Sequence, residues 1–331
     1  MITRRAFTLA LGTFAAGPGL GGLAGPAAAQ SPSPRRIGVL LVLLSPSGKE
    51  AQALRQGLRD AGYVEGRDVV IEWRSAEGDY ARLPRLAAEL VERQVDLIVA
   101  DTTPATRAAQ RATSTIPIVM AIVADPVGDG LVGNMSQPGG NVTGLSIMLA
   151  ELSIKRLQLL KEAMRSVTKV AVLWNPPTPY HAKAIENLKA VAPSLGIELS
   201  LVSARTVDEI GPALETISRA SAQALYVVDC PPFFTHRAMI LKSAAGARLA
   251  VISGERPYAD EGGLLAFGPS YEDQMRRSAE YVDKILKGQK PAGLPIAQPT
   301  KFTLVVNLKT ARTLGIAISE SIVLRADEVI R

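Results

Sequence analysis

A regular alternation of short apolar runs and amphipathic stretches, sustained from Ile37 almost to the last residue, limits the fold more than any other feature of this chain. Ile37 to Leu44 is nearly all apolar, as a strand covered on both faces must be. Ala51, Leu54, Leu58 and Ala61 then recur at helical spacing, and Gly62, free to take a left-handed cap, ends the helix. Strands are predicted over 69–73, 96–100, 116–123 and 142–147, with helices around Leu83 to Leu90 and over 104–113 between them. The pattern then restarts. A helix lined by Leu157, Leu160 and Met164 leads to a strand over 170–174, followed by helix 179–195, strand 197–203, helix 207–219, strand 224–228, helix 235–246 and strand 249–252. A short strand over 264–267, a helix lined by Met275, Ala279, Val282 and Leu286, a strand over 302–306 and a short helix around Ala311 complete it. Such alternation implies an α/β fold of parallel sheets with helices on both faces. About ten strands exceed what one open sheet usually holds, so two lobes are expected, with the break after Ile147 and a return near Phe267. A closed (β/α)₈ barrel is the rival; the link through Pro291, Pro295 and Pro299 fits it poorly.

The first residues read as an address. Arg4 and Arg5 precede a mild apolar stretch from Leu9 to Ala16, and Ala27-Ala28-Ala29 offers the small side chains of a cleavage site. Residues 1–29 are therefore expected to be a twin-arginine-type export signal cut near Ala29, followed by a polar linker over 30–35. A general secretory signal is the alternative. Its apolar core is too short to span a bilayer, and no later stretch is long and apolar enough either. The chain has 37 basic and 31 acidic residues; losing Arg4 and Arg5 with the signal lowers the net charge from +6 to +4. That modest excess, without Lys or Arg runs, argues against nucleic-acid binding. Cys230, the single cysteine, excludes an intramolecular disulfide. His181 and His236, the two histidines, have no acidic neighbours at metal-ligand spacing, so no metal is expected.

In open parallel sheets, ligands bind beyond the carboxyl ends of the strands. The polar residues there become the ligand-binding candidates: Ser45, Thr102, Thr103, Asp125 and Ser146 in the first series, Asn175, Asp229 and Glu255 in the second. Thr103 reads as the cap of a helix whose first position is Pro104; its free N–H groups and the two Thr hydroxyls could hold a carboxylate. A plain structural cap is the competing reading. Asp125 could face an ammonium group or simply open the turn at Pro126, and Glu255 could pair locally with Arg256. Gly128-Asp129-Gly130-Leu131-Val132-Gly133 matches a dinucleotide fingerprint, but Pro138-Gly139-Gly140 stops any helix and no acid closes the next strand. There is no G-x-S-x-G elbow and no phosphate-loop lysine. No catalytic residue is assigned and no cofactor is needed.

Gly57-Leu58-Arg59-Asp60-Ala61-Gly62-Tyr63-Val64-Glu65-Gly66, Thr103-Pro104-Ala105, Asp125-Pro126-Val127 and Pro138-Gly139-Gly140-Asn141-Val142-Thr143-Gly144 occur in this order, with Tyr281 to Gly288 and Pro299-Thr300-Lys301-Phe302 after them. Together they resemble the ABC-transporter substrate-binding family that includes tryptophan- and tyrosine-binding members, over essentially the whole exported part. The resemblance implies the type I periplasmic binding fold: two Rossmann-like lobes joined by three hinge crossings, here 36–147 plus 268–300 and 148–267 plus 301–331. It also implies a small-molecule ligand in the cleft, an inner-membrane permease with its ATPase as partner, a periplasmic location, a monomer and no catalysis. Asp229-Cys230-Pro231-Pro232-Phe233-Phe234 departs from the loop expected in amino-acid-binding members. A receptor for a signalling partner is the alternative reading, and a hydrolase or isomerase on a doubly wound fold the remoter one.

Overall fold

The computed structural model describes residues 33–331; the expected export signal over 1–29 and the start of the linker lie outside them. Strands β1 (Arg35–Leu41), β2 (Val69–Ser75), β3 (Leu97–Ala100), β4 (Ile118–Val123) and β5 (Val142–Ser146) form an all-parallel sheet in the order β2-β1-β3-β4-β5. Successive side chains on a strand point to opposite faces, and both faces are covered. Ile37, Val39, Leu41, Val99 and Val119 pack in one cluster with Leu54 and Leu58 of α1 (Lys49–Asp60). Leu40, Val42, Ile98, Ala100 and Met120 pack in another with Leu86 and Leu90 of α2 (Leu83–Glu92) and Ala105 and Ala109 of α3 (Thr103–Ala112). This double burial is why these strands read as unbroken apolar runs.

The second sheet holds β6 (Lys169–Trp174), β7 (Glu198–Ser203), β8 (Ala224–Val227), β9 (Ala250–Ser253), β10 (Leu265–Pro269), β11 (Phe302–Asn307) and β12 (Glu328–Ile330), ordered β12-β11-β10-β9-β8-β6-β7. Its helices are α4 (Leu149–Ala163), α5 (His181–Val191), α6 (Ile210–Arg219), α7 (Pro231–Thr235), α8 (Arg237–Gly246) and α9 (Arg256–Asp260); α10 (Tyr271–Leu286), α11 (Leu308–Leu314) and α12 (Glu320–Arg325) follow. Helix α10 packs on α1 and on β3, β4 and β5, so it belongs with the first sheet.

The chain thus passes between the sheets three times: after β5, between β10 and α10, and between Ala297, which bridges to Leu145, and β11. These are two α/β lobes, not a barrel. The topology also explains one departure from an all-parallel pattern. β10 leaves the second sheet toward the crossing and β11 returns from that same end, so the two pair antiparallel. The helix expected over 207–219 starts at Ile210, because Pro212 has no N–H to donate and must sit in a first turn. The helix expected over 235–246 begins at Arg237, a separate short helix α7 covers the preceding Pro231–Thr235, and α9, α12 and β12 were not legible as elements. Among the described residues, no helix is long and apolar enough to cross a membrane.

Helices α1 and α10 touch through Gly57. A Cβ there would stand 2.2 Å from Arg276 O and 2.8 Å from Ala279 Cβ. Gly57→Ala should therefore destabilise by about 1–3 kcal/mol through overpacking, although alanine is the better helix former by about 1 kcal/mol. Urea denaturation is the check: the midpoint should fall, and an unchanged or raised midpoint would show that the two helices part without cost.

Candidate functional site

Strand order reverses between β1 and β3 in the first lobe and between β6 and β8 in the second. At such switch points the loops diverge and open a crevice. In the first lobe the two strand ends are tied by Asp101, buried, whose Oδ2 accepts the Val42 N–H at 2.8 Å. Burial pushes its carboxyl up to about 6, against the hydrogen bonds from Val42 and Thr102. Thr102, not Thr103, is the cap residue of α3, and Pro104 is its second position. The Thr102 side chain makes no capping bond; its hydroxyl donates to Asp101 Oδ1 at 3.0 Å. The buried Thr103 hydroxyl donates to Asp129 Oδ2 at 2.9 Å. Asp129 is raised to about 6 by desolvation, with Asp125 adding to the rise and Thr103 opposing it. Both hydroxyl protons thus go to carboxylates.

Asp125, half-buried, folds back on its own loop: its Oδ1 accepts the Gly128 N–H at 2.8 Å, as a turn-opening aspartate does. Ser45 is exposed in a turn where its Oγ lies 2.9 Å from Ser47 Oγ. Ser146 is buried at the first crossing; its N–H donates to Ala297 O at 2.9 Å, which joins the first crossing to the third.

The second lobe gathers its three candidates into one network. The Asn175 N–H donates to His181 Nδ1 at 2.9 Å, which leaves the proton on Nε2, 3.0 Å from Asp229 O. Burial holds this imidazole down at about 4, so it stays neutral. The Tyr180 hydroxyl donates to the same carbonyl. Asn175 Nδ2 ties Ala204 O at 2.7 Å, and its Oδ1 accepts from Thr178. Asp229 Oδ1 accepts from Ser253 Oγ at 2.7 Å and from the Gly254 N–H at 2.9 Å. Ser253 Oγ in turn accepts from the Glu255 N–H at 3.4 Å. Asn175, Asp229 and Glu255 are therefore linked across the ends of β6, β8 and β9.

Sequence reasoning missed the centre of this network. Arg156 of α4, 1 % exposed, puts Nη1 2.8 Å from Asp229 Oδ2 and donates Nε–H to Phe267 O at 2.7 Å. The ion pair lacks hydrogen-bond alignment at Oδ2, and Arg156 Nη2 is buried without a partner. Burial opposes the charge most strongly, but Asp229 together with Tyr226, Tyr180 and Tyr271 outweighs it and holds the guanidinium above its ordinary value. A Cβ on Gly254 would stand 1.9 Å from Arg156 Nη2, so only glycine leaves room. The signal was present: Arg156 interrupts the apolar stripe Leu152, Leu159, Ala163 on the buried face of α4.

The two strand-end clusters confront each other. Tyr80 of the first lobe is raised by desolvation first, then by Cys230 of the second lobe and Asp101 of its own. Glu255, half-buried, is pushed well above the usual carboxylate range by desolvation and Asp229, against Arg156 and Arg237; Glu50 of α1 adds to the rise. Tyr271, at the second crossing, is raised by burial and then by Glu255 and Asp229. Phe233 is core, Phe234 lies under the Arg237 guanidinium at 4.4 Å, and Trp174 is half-buried. Cys230 is buried and its thiol pushed far up by desolvation, so it is no nucleophile. Among the described residues, no group of three or more His, Cys, Asp or Glu could hold a metal.

Residues 36–330 match the family described as ABC transporter substrate binding protein. The chain is 27% identical over 281 residues to a tyrosine-binding protein of Clostridioides difficile, covering 85% of this chain and 81% of that one. Its fold is similar to the ABC domain from Streptococcus pneumoniae solved in complex with L-Trp, with a TM-score of 0.84 at 27% identity, covering 90% of this chain and all of that one. It is also similar to the ligand-free, open structure of a substrate-binding protein with adhesive properties from Clostridium difficile, with a TM-score of 0.68 at 25% identity, covering 90% and 99%.

Removing one partner of a buried ion pair strands the other charge. Asp229→Ala should destabilise the protein by about 3–5 kcal/mol. Gly254→Ala should also lower stability, by displacing the guanidinium while leaving both charges in place. Thermal unfolding of both variants checks this; an Asp229→Ala protein as stable as the parent would mean that Arg156 reaches water.

Proposed function

This chain belongs to the ABC transporter substrate-binding protein family, and from that premise we propose that it is the extracytoplasmic receptor of an ABC importer. It captures a small, amino-acid-like or carboxylate-bearing solute between its lobes and works by binding, without turnover. The observation that carries this reading is the meeting of two polar switch points across three chain crossings. A solute touching both lobes favours the closed form, because only that form makes both sets of contacts. The hinge reading is supported by Met148, which follows the first crossing at φ 52° and ψ 42°, a left-handed conformation uncommon for a side chain of its size. It is supported too by the greater likeness to the tryptophan-bound relative than to the open, ligand-free one.

In this proposal the lobes are 36–147 with 268–300 and 148–267 with 301–331. Thr102, Thr103, Asp125 and Ser45 line one side of the cleft and Asn175, Asp229 and Glu255 the other, with Ser146 at the hinge. The closed monomer docks in the periplasm on a permease whose ATPase drives import. No cofactor enters.

A thermal-shift panel of amino acids, organic acids, purines and aromatic acids tests the reading. A solute that binds only the folded form adds about 2.7 kcal/mol at a hundredfold excess over its dissociation constant. At least one member should raise the melting temperature, and small-angle scattering should show the particle contracting with it. A panel without a single hit would refute the proposal.

A further inference from the structure

Among the described residues, the non-glycine positions with positive φ are Glu77, Gln94, Met148, Ser221 and Arg248. Gln94, Ser221 and Arg248 stand just past the last turns of α2, α6 and α8, where the left-handed conformation is an ordinary helix stop. Glu77 lies in the turn between β2 and the 3₁₀ turn at Tyr80–Arg82. Met148 is different. It is the N-cap residue of α4, at φ 52° and ψ 42°, where extended backbone is the rule. Thr102, Ser270 and Asn307, the N-caps of α3, α10 and α11, all obey that rule. The crossing, not the helix, accounts for the exception. The Ile147 N–H donates to Val123 O of the first lobe at 2.8 Å, and Met148 O accepts from the Leu152 N–H of the second at 3.1 Å. Upstream, β5 lies so close to β4 that a Cβ on Gly144 would stand 2.1 Å from Met120 O, and the Ser146 N–H is held by Ala297 O. Downstream, Arg156 pins α4 to Asp229 and to Phe267 O. Only the torsions of Ile147 and Met148 are left to absorb a rotation of one lobe against the other, and Met148 carries the strained value. The other crossings carry none: Ser270 is extended, and residues 298–301 include no positive φ.

Resting on the receptor reading above, we propose that Met148 is a strained joint that sets how tightly the receptor holds its solute. Its left-handed conformation belongs to the closed arrangement and relaxes to an extended N-cap as the lobes part. The described form is closer to the tryptophan-bound relative than to the open one, which puts the strain on the closed side. For a residue with a side chain, that region of backbone space is disfavoured roughly fivefold or more. The penalty falls on the closed form alone, so the empty receptor rests open and the solute's contacts must offset it. Affinity is lowered by that factor, and the closed form reopens faster by a similar one.

The test is calorimetric titration and stopped-flow dissociation of the full-length exported protein with L-tyrosine, L-tryptophan and every other panel member that raises the parent's melting temperature. Met148→Ala, which removes the side chain but keeps the left-handed penalty, is the reference. Against it Met148→Gly, for which that region is open, should bind roughly fivefold or more tightly and dissociate more slowly by a similar factor. Met148→Asn tolerates the region while keeping a side chain and should gain part of this. Met148→Val, with a branched side chain that tolerates it least, should bind more weakly. Melting temperatures establish that the variants are folded. Gly and Asn variants that bind no more tightly than Met148→Ala would overturn the proposal, because Met148 would then keep one conformation in both forms. Weaker binding by Met148→Gly would overturn it too, by putting the strain in the open form, as would a gain in the Gly variant with none in the Asn variant, which would trace to chain flexibility. A parent that binds no member of the panel sinks the receptor reading and this inference together, whereas a binding parent whose variants break the order sinks this inference alone.

Discussion

The ion pair between Arg156 and Asp229 is the interaction on which the second lobe's working face depends. Taking two charges out of water costs several kcal/mol per ion, and their attraction repays this only with good geometry and further hydrogen bonds. Here the extra bonds come from strand ends: Phe267 O on the guanidinium, Ser253 and Gly254 on the carboxylate. The pair therefore clamps the ends of β8, β9 and β10 to α4. Two of those elements adjoin a crossing, since α4 follows the first and β10 precedes the second. A well-packed apolar pair could have supplied equal stability. What it could not supply is a charge-balanced floor in which Nη2 and Oδ2 remain without hydrogen-bond partners.

The first lobe solves the same geometric problem with less charge. Asp101 ties β1 to β3 through one backbone bond, and its desolvated carboxyl has no cation beside it. Asp129 then holds Thr103, and the Asp125 loop closes on itself. In both lobes, then, an aspartate at a switch point joins strand ends that the topology drives apart. The difference lies in how the carboxylate is satisfied: by neighbouring N–H and O–H groups alone in one lobe, by such groups together with a buried guanidinium in the other.

Much of this was legible in the sequence, because parallel strands buried on both faces write themselves as apolar runs and helices as three-to-four spacing. The two lobes and the strand ends could be read this way. Three kinds of feature could not. The antiparallel β11 depends on where the chain re-enters the sheet, which no local pattern records. Short elements such as α9, with five residues, have too little periodicity to register. The role of Arg156 depends on partners at positions 229 and 267, far away along the chain; locally it shows only as a charge among leucines. The polar strand-end residues were visible as candidates, but not that the hydroxyls of Thr102 and Thr103 would donate to carboxylates.

A substrate-binding protein needs a scaffold whose charges stay fixed. The second lobe fixes them by environment. His181, which in water would titrate near neutrality, is buried at a strand junction, held to about 4 and used as a neutral strut between Asn175 and Asp229. Arg156 is locked in its charged form by Asp229. Cys230 and Tyr180 are held protonated by burial. None of these groups changes state in the physiological range. Glu255 differs: it stands at the same strand ends, half-buried, with its carboxyl pushed well above the usual carboxylate range by desolvation and Asp229. The fixed protonation of His181, Cys230 and Tyr180 follows from burial at the strand ends, and that of Arg156 from acidic and phenolic neighbours that outweigh its burial.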